Sequence, residues 1–326
     1  MKKRHRTLVL ALACVAAAGN ASAQQPSGQQ PPRPGSGLQR LLDAELARFP
    51  AKAGVWVKNL TTGEEAAVHA DDTFNSASVI KIPVMVLASQ MADKGELSLA
   101  QRVTINAADF RGGSGVFRYN DPGLQPTLRD VLLQMIITSD NTATDIAIAK
   151  VGGVDRVNAW LASNGYTDAL RLNMTTADLF AKYGALPQGS NANDKTNNDR
   201  GYWLGAMTPR ATGRLIESIQ RCNDKTASSP ALAAQKSCAD MVRMMRAQQS
   251  GARRLPHFLN VPVAHKTGDF PPVLANDVGI VFARSGPIVI SFFTNAIEGP
   301  YAEAEDRIGR VAQLIVEYFD GVQERQ

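Results

Sequence analysis

Apolar residues follow strand-like spacing near both ends of the chain. They dominate 54–60 (GVWVKNL), which a Thr-Thr-Gly turn separates from a second run at 65–69, and this pattern is typical of a β-hairpin. Three runs rich in β-branched residues follow in the C-terminal third, at 261–266, 277–283 and 288–294. Strands at both ends of the chain predict one sheet built from both termini.

Between these regions, apolar residues recur at helical spacing. Four such segments lie at 78–92, 128–138, 142–151 and 154–164. Thr208-Pro209 is expected to start another helix, because proline suits a first helical turn. Three further helices are predicted at 38–49, 239–249 and 301–319.

The segment 174–207 is polar and rich in Gly, Asn and Asp, which predicts a long loop. Strands around a helical middle predict a mixed α/β (α+β) fold with an inserted all-helical domain. We therefore expect a sheet domain made of 38–75 and 220–326, and a helical domain at 76–219.

Charge changes the picture mainly at the N terminus. The chain has 326 residues and a net charge of +5, and four positive charges fall within its first six residues. Without these four, 31 basic residues face 30 acidic ones. A surface so close to neutral does not predict nucleic-acid binding.

The same basic start precedes an apolar run at 8–18 and the sequence Ala21-Ser22-Ala23. These features predict a signal peptide at 1–23, cleaved near Ala23, and the Pro/Gly/Gln-rich stretch 24–37 predicts a flexible linker. Lipid attachment at Cys14 is the alternative. The apolar run is too short for a stable membrane span, so we expect a periplasmic or secreted protein. We also expect it to be a monomer.

Loss of Cys14 with the signal leaves Cys222 and Cys238, sixteen positions apart. An oxidising compartment favours a disulfide between them; two buried free thiols are the alternative. The four histidines are scattered, so a metal site is not predicted.

The first candidate motif is Ser78-Val79-Ile80-Lys81, at the start of a predicted helix. A spacing of three brings the Lys81 amine over the Ser78 hydroxyl, and a neutral amine there can accept the hydroxyl proton. The helix N-terminus favours negative charge that develops near Ser78. Taken alone, this motif also occurs by chance.

Two further motifs follow in the chain. Ser139-Asp140-Asn141 lies between two predicted helices, where a simple helix cap is the alternative explanation. Lys266-Thr267-Gly268 ends a predicted inner strand that begins at Val261. Lys266 could be an ordinary charged residue at the end of a strand. Gly268, however, would permit close approach of a ligand, which favours a binding role. The ordered combination of all three motifs argues against separate coincidences.

Ser-x-x-Lys, Ser-Asp-Asn and Lys-Thr-Gly in this order resemble the signature of class A serine β-lactamases and the related penicillin-binding D,D-peptidases. The similarity extends from about Leu38 to Phe319 and includes the phrases SDNTATD, VGGVDRVNAWL, RLN and HKTG…NDVGIV. It implies an antiparallel sheet with terminal helices, an inserted helical domain, and an active site between them.

The resemblance also implies roles for the catalytic residues. Ser78 is the expected acylated nucleophile, and Lys81 is expected to be its general base or proton shuttle. Ser139 is expected to relay a proton to the leaving nitrogen, and Lys266 to keep the site positive. No metal or organic cofactor is implied.

The same resemblance implies how a substrate is bound. Asn141 is expected to hold the side-chain amide of the substrate, and Lys266 with Thr267 to bind its carboxylate, beside Gly268. The backbone N–H groups of Ser78 and Asp269 are expected to form the oxyanion hole.

One departure concerns the glutamate that activates water in efficient class A enzymes. Arg171-Leu172-Asn173 is followed by threonines, with Thr176 or Thr175 in the place of the glutamate. No glutamate occurs between Glu96 and Glu217. A carboxylate in the loop could substitute, and the candidates are Asp178, the nearest, then Asp194 and Asp199.

A second departure is Val278, which precedes Gly279 where many members have an arginine that binds the substrate carboxylate. Arg253 or Arg254 could compensate; a basic surface pair is the alternative.

The leading hypothesis is an exported serine hydrolase that opens β-lactam rings through a Ser78 acyl-enzyme, with deacylation in doubt. The alternatives are a D,D-peptidase or esterase acting on acyl-D-Ala-D-Ala-like substrates, and a penicillin-binding protein that stays acylated.

Overall fold

A computed structural model describes residues 36–226 and 232–323, with side chains to residue 321. The predicted signal peptide and nearly all of the predicted linker lie outside these residues. None of the described helices is long and apolar enough to cross a membrane.

A five-stranded antiparallel sheet organises the described chain, with strand order β2-β1-β8-β7-β6. Its strands are β1 (Lys52–Asn59), β2 (Glu65–Val68), β6 (Val263–Phe270), β7 (Leu274–Ala283) and β8 (Gly286–Asn295). A small second sheet joins β3 (Phe74–Asn75), β4 (Leu170–Leu172) and β5 (Gly205–Met207) in the order β3-β5-β4. The prediction of one antiparallel sheet assembled from both ends of the chain is confirmed.

Ten helices accompany the sheets in the described residues. They are α1 (Gly37–Leu46), α2 (Lys81–Asp93), α3 (Leu128–Ile137), α4 (Asn141–Lys150), α5 (Gly153–Ser163), α6 (Thr176–Gly184), α7 (Ala192–Asn198), α8 (Pro209–Asn223), α9 (Gln235–Arg246) and α10 (Tyr301–Gln323). The mixed α/β class with terminal helices is confirmed. The division into two domains at residues 76 and 219 stays a prediction.

The sheet is covered on both faces, because successive apolar side chains of its strands point to opposite faces. On β1, Val55 and Val57 join a core with α1 and α10. Trp56, between them, joins a second core with α8, α9 and the helical middle. This alternation follows from the two-residue period of a strand, in which neighbouring side chains pack on opposite faces of the sheet.

The predicted loop at 174–207 contains two helices, so that prediction is wrong over much of its length. Thr175 and Asp178 form a capping box that starts α6, and Asn191 caps α7. Leu179 and Thr196 are the buried anchors of these helices. Capping and a few buried contacts outweigh the polar composition of the segment.

Strand β6 was predicted as an inner strand, but it lies at the edge of the sheet. It also continues past the Lys-Thr-Gly motif to Phe270. Six consecutive residues of this edge strand, from Val263 to Gly268, are nonetheless buried, because α9 and the turn before α2 pack against it. Burial from outside the sheet gives an edge strand the apolar appearance of an inner one.

The predicted disulfide between Cys222 and Cys238 is present and joins the end of α8 to the start of α9. Both helices pack on the same face of the sheet, and α9 packs directly against β6, the strand that carries Lys266.

Candidate active site

Ser78 lies in a 3₁₀ turn, Ala77–Ile80, rather than in the first turn of α2. The backbone of Ala77 has a φ of 41°, a conformation that a non-glycine residue rarely adopts. It is held there because the Asn75 side chain accepts a hydrogen bond from its N–H at 3.0 Å. Asn276 on β7 in turn donates to the Asn75 carbonyl at 2.9 Å. This strained turn presents Ser78, which is partly exposed, at the surface of a cavity.

Lys81 opens α2 immediately after that turn. Residues three apart are eclipsed in a 3₁₀ turn, so Lys81 follows Ser78 on the same side. Its amine donates to the Ser139 carbonyl at 2.6 Å and to Asn141 Oδ1 at 2.9 Å. The Asn141 amide is oriented by donation from Nδ2 to the carbonyl of Gly112 at 2.9 Å. A neutral amine can donate to both oxygens and still direct its lone pair at a hydroxyl.

The two lysines of the predicted site converge on one hydroxyl group. The amines of Lys81 and Lys266 each lie 3.1 Å from Ser139 Oγ, and both side chains are fully buried. Burial, followed by the charge of Lys266, holds the pKa of Lys81 well below its usual range. Burial also lowers the pKa of Lys266 to about 8, with partial compensation from Asp269 and Asp277. Two buried amines whose pKa values are both lowered, placed around one hydroxyl, suit proton transfer.

The Ser-Asp-Asn motif serves both purposes that its sequence suggested. Asp140 is the helix cap and accepts from the N–H of Ala143 at 2.8 Å. It also accepts from the N–H groups of Val116 and Phe117, at 2.6 and 2.8 Å. Ser139 is held at a φ of 56°. The buried cap therefore fixes the strained backbone that carries the two outer residues of the motif to the site.

The Lys-Thr-Gly motif differs in detail from what its pattern suggested. A Cβ on Gly268 would lie 2.5 Å from the carbonyl oxygen of Ser76, so the protein's own turn before Ser78 needs this glycine. Thr267 is fully buried, and its hydroxyl lies 2.8 Å from Ser250 Oγ. Gly268 thus keeps the nucleophile turn close to β6.

A cavity of about 560 Å³ brings most of the predicted residues together. Ser78, Ser139, Asn141 and Asp269 line it directly, and Lys81 and Lys266 lie behind Ser139. An apolar wall faces them, formed by Leu179, Phe180, Leu204, Tyr202 and Phe270.

The loop carboxylates do not reach this cavity. Asp178 is exposed and holds the cap of α6, because its carboxylate accepts from the Thr175 hydroxyl at 2.6 Å. Asp199 pairs with Lys195 at 3.0 Å. At the place expected for the glutamate, Thr176 lines the cavity instead. The two lining carboxylates in the described part of the chain are Asp269 and Glu305.

The two arginines considered as replacements have different environments. Arg253 is a surface residue that pairs with Asp306. Arg254, in contrast, is among the largest fully buried side chains and lines the cavity, so the expectation of a basic surface pair is wrong for this residue. Val278 is buried in the core.

Several residues at the site were missed by sequence reasoning. Ser250, Tyr301 and Glu305 line the cavity from segments distant in sequence. No local pattern indicates them. Asn276 was also missed, although a polar residue in an apolar strand (LANDVGIV) is a signal of a buried hydrogen-bonding role.

Known proteins of the same kind confirm the family. Residues 37–319 match the beta-lactamase enzyme family. The Beta-lactamase VEB-1 of Pseudomonas aeruginosa is 26% identical, with 86% of this chain and 89% of that protein covered. The crystal structure of a beta-lactamase from Sphaerobacter thermophilus DSM 20745 is 28% identical with a TM-score of 0.70, and covers 87% of this chain and 97% of that one.

A class A beta-lactamase from Bacteroides cellulosilyticus DSM 14838 shares the fold, with a TM-score of 0.72, 22% identity, and coverage of 87% and 97% of the two chains. Because the family model matches residues 37–319, the protein belongs to the beta-lactamase enzyme family.

Proposed function

We propose that this protein is an exported serine hydrolase that opens β-lactam rings by acylation of Ser78, with slow release of the acyl group. The observation that carries the proposal is the pair of buried amines on Ser139 Oγ, each at 3.1 Å, beside Ser78 in one cavity.

In the proposed acylation, the neutral Lys81 amine takes the proton of Ser78 as its oxygen attacks the lactam carbonyl carbon. The backbone N–H groups of Ser78 and Asp269 stabilise the oxyanion. The ring C–N bond then breaks, and Ser139 donates its proton to the leaving nitrogen. Ser139 regains a proton from Lys81 by the 3.1 Å contact, which returns the amine to its neutral state.

Deacylation requires a water molecule to lose a proton as it attacks the ester. Thr176 has no basic group at neutral pH, and the neighbouring wall of Leu179 and Phe180 is apolar. The carboxylates of Asp269 and Glu305 are paired with Arg254. Release of the acyl group is therefore expected to be slower than its formation.

The experiment is to mix the mature protein with a chromogenic cephalosporin and follow absorbance and intact mass together. We expect a burst of one equivalent, an adduct on Ser78, and slow steady turnover. Fast turnover without adduct would show that another group activates water. If neither a burst nor an adduct is observed, the result contradicts the proposal.

A second candidate is a D,D-peptidase that acts on acyl-D-Ala-D-Ala-like peptides. The absence of a water-activating carboxylate near Thr176 among the described lining residues favours it. Release of D-alanine from such a peptide would support this function.

Acylation should also depend on pH through Lys266. Below its pKa of about 8, the Lys266 amine is charged and stabilises the negative charge that develops at Ser139 and on the substrate during acylation; above that pH the charge is lost, although the neutral amine can still donate a hydrogen bond. We expect the acylation rate to fall above about pH 8. In Lys266→Arg, the charge persists and the fall should move to higher pH. An unchanged profile in that variant would assign the fall to another group.

A further inference from the structure

The end of the cavity beside β6 carries an ionic cluster that the proposed acylation does not use. Its members are Arg254, Asp269, Tyr301 and Glu305, and all four line the cavity. Asp269 directly follows the Lys-Thr-Gly motif on β6, and Tyr301 and Glu305 lie near the start of α10. The cluster therefore occupies the end of the cavity where the resemblance placed the substrate carboxylate.

Arg254 is already surrounded by acceptors. Its Nε donates to Glu305 Oε1 at 3.0 Å and its Nη1 to the Asn276 carbonyl at 2.8 Å. Its Nη2 donates to the Asp269 carboxylate and to the Tyr301 hydroxyl, the latter at 2.9 Å. Its side chain is only 2% exposed, so a substrate carboxylate would have to displace a carboxylate of the protein to reach it.

The carboxylates, rather than the guanidinium, are the more exposed charges. The side chains of Asp269 and Glu305 are 29% and 15% exposed. Two negative charges surround one positive charge, so the cluster has a net charge of −1. An anionic substrate group at this end would approach carboxylate oxygens, and the repulsion between like charges in contact would disfavour its binding.

The expected carboxylate-binding residues are also turned inward. The Thr267 hydroxyl is occupied by Ser250 at 2.8 Å. The Lys266 amine donates to Ser139 Oγ at 3.1 Å and to the carbonyl of Thr267 at 2.8 Å. Neither Lys266 nor Thr267 has solvent-exposed surface.

We propose that Asp269 and Glu305 determine substrate selectivity: they occupy Arg254 and make this end of the cavity prefer a positively charged or neutral substrate group over a carboxylate. The inference rests on the proposed acylation of Ser78, because it concerns which substrates reach that residue.

The test uses benzylpenicillin, its methyl ester and its 2-aminoethyl amide, which place a negative, neutral and positive group on the same ring system. The second-order rate constant for acylation of the mature protein is measured for each by intact mass. We expect the amide to react fastest and the acid slowest, with a span of about tenfold or more, since one charge contact of this kind changes binding by that order.

Asp269→Asn removes one negative charge at constant shape and leaves Glu305 as the partner of Arg254. We expect the acid-to-ester rate ratio to rise about tenfold. Glu305→Gln is the second variant and should change the ratio in the same direction. Glu303→Gln, on an exposed position of α10, is the matched control and should leave the ratio at the wild-type value.

A wild-type preference for the acid, or an unchanged ratio in both variants while Ser78 is still acylated, would overturn the selectivity proposal and leave the proposed function intact. Failure of all three compounds to acylate wild-type Ser78 would instead overturn the proposed function.

Discussion

The Ser78→Ala protein should form no covalent adduct with benzylpenicillin, and its β-lactam turnover should fall by about 10⁴-fold or more. The nucleophilic oxygen is lost, while Ser139, the hydroxyl that both lysines contact, is used in the proposed reaction to donate a proton to the leaving nitrogen. Because Ser78 is partly exposed, the melting temperature should stay close to that of the wild type. Intact mass and steady-state rates measure both effects.

Ser114→Ala is the matched control, because Ser114 is an exposed serine at the edge of the same cavity. It should keep the adduct. An adduct that persists in Ser78→Ala, located by peptide mapping at Ser139 or elsewhere, would refute the assignment of the nucleophile.

Thr176→Glu should accelerate loss of the acyl group by about 100-fold or more, since a positioned general base contributes about 10² to 10⁴. The position is suitable because the Thr176 side chain is buried and lines the cavity. Its backbone is also fixed, since its N–H donates to Asp145 Oδ1 at 2.7 Å. The rate of adduct loss after a single acylation measures the effect.

Thr176→Gln has nearly the same shape without the base, and it should leave the rate of adduct loss unchanged. Asp178→Asn should also leave it unchanged, because that carboxylate is used in the cap of α6. An equal gain in the glutamine variant would mean that space, rather than basicity, limits deacylation. A lower rate of adduct loss in Asp178→Asn would mean that α6 moves during the reaction and brings this carboxylate to the acyl group.

Most of the main elements were predictable because their signals are local. Periodicity placed the strands of the sheet and the helices of the middle within a few residues of their observed bounds. Thr208 caps α8 by accepting from the N–H of Ala211, as the Thr-Pro pair suggested. The helices α6 and α7 were missed because composition was given more weight than the capping signals at Thr175 and Asn191.

The candidate site was predictable to the extent that it lies in contiguous motifs. Ser78, Lys81, Ser139 and Lys266 were all named from three short phrases, and the structure brings the last three into contact at one hydroxyl. The environment of Arg254 was not predictable. Its neighbours Asp269 and Glu305 lie 15 and 51 positions away in the chain.

The sequence by itself determined the class of the fold, the family and the residues of the proposed acylation, because each depends on local spacing along the chain. Only the tertiary structure decided which charges face the cavity: that Asp178 caps a helix, that Thr176 lines the wall, and that Arg254 is buried between two carboxylates. Burial and charge pairing are properties of distant segments brought together, and no single stretch of sequence contains them.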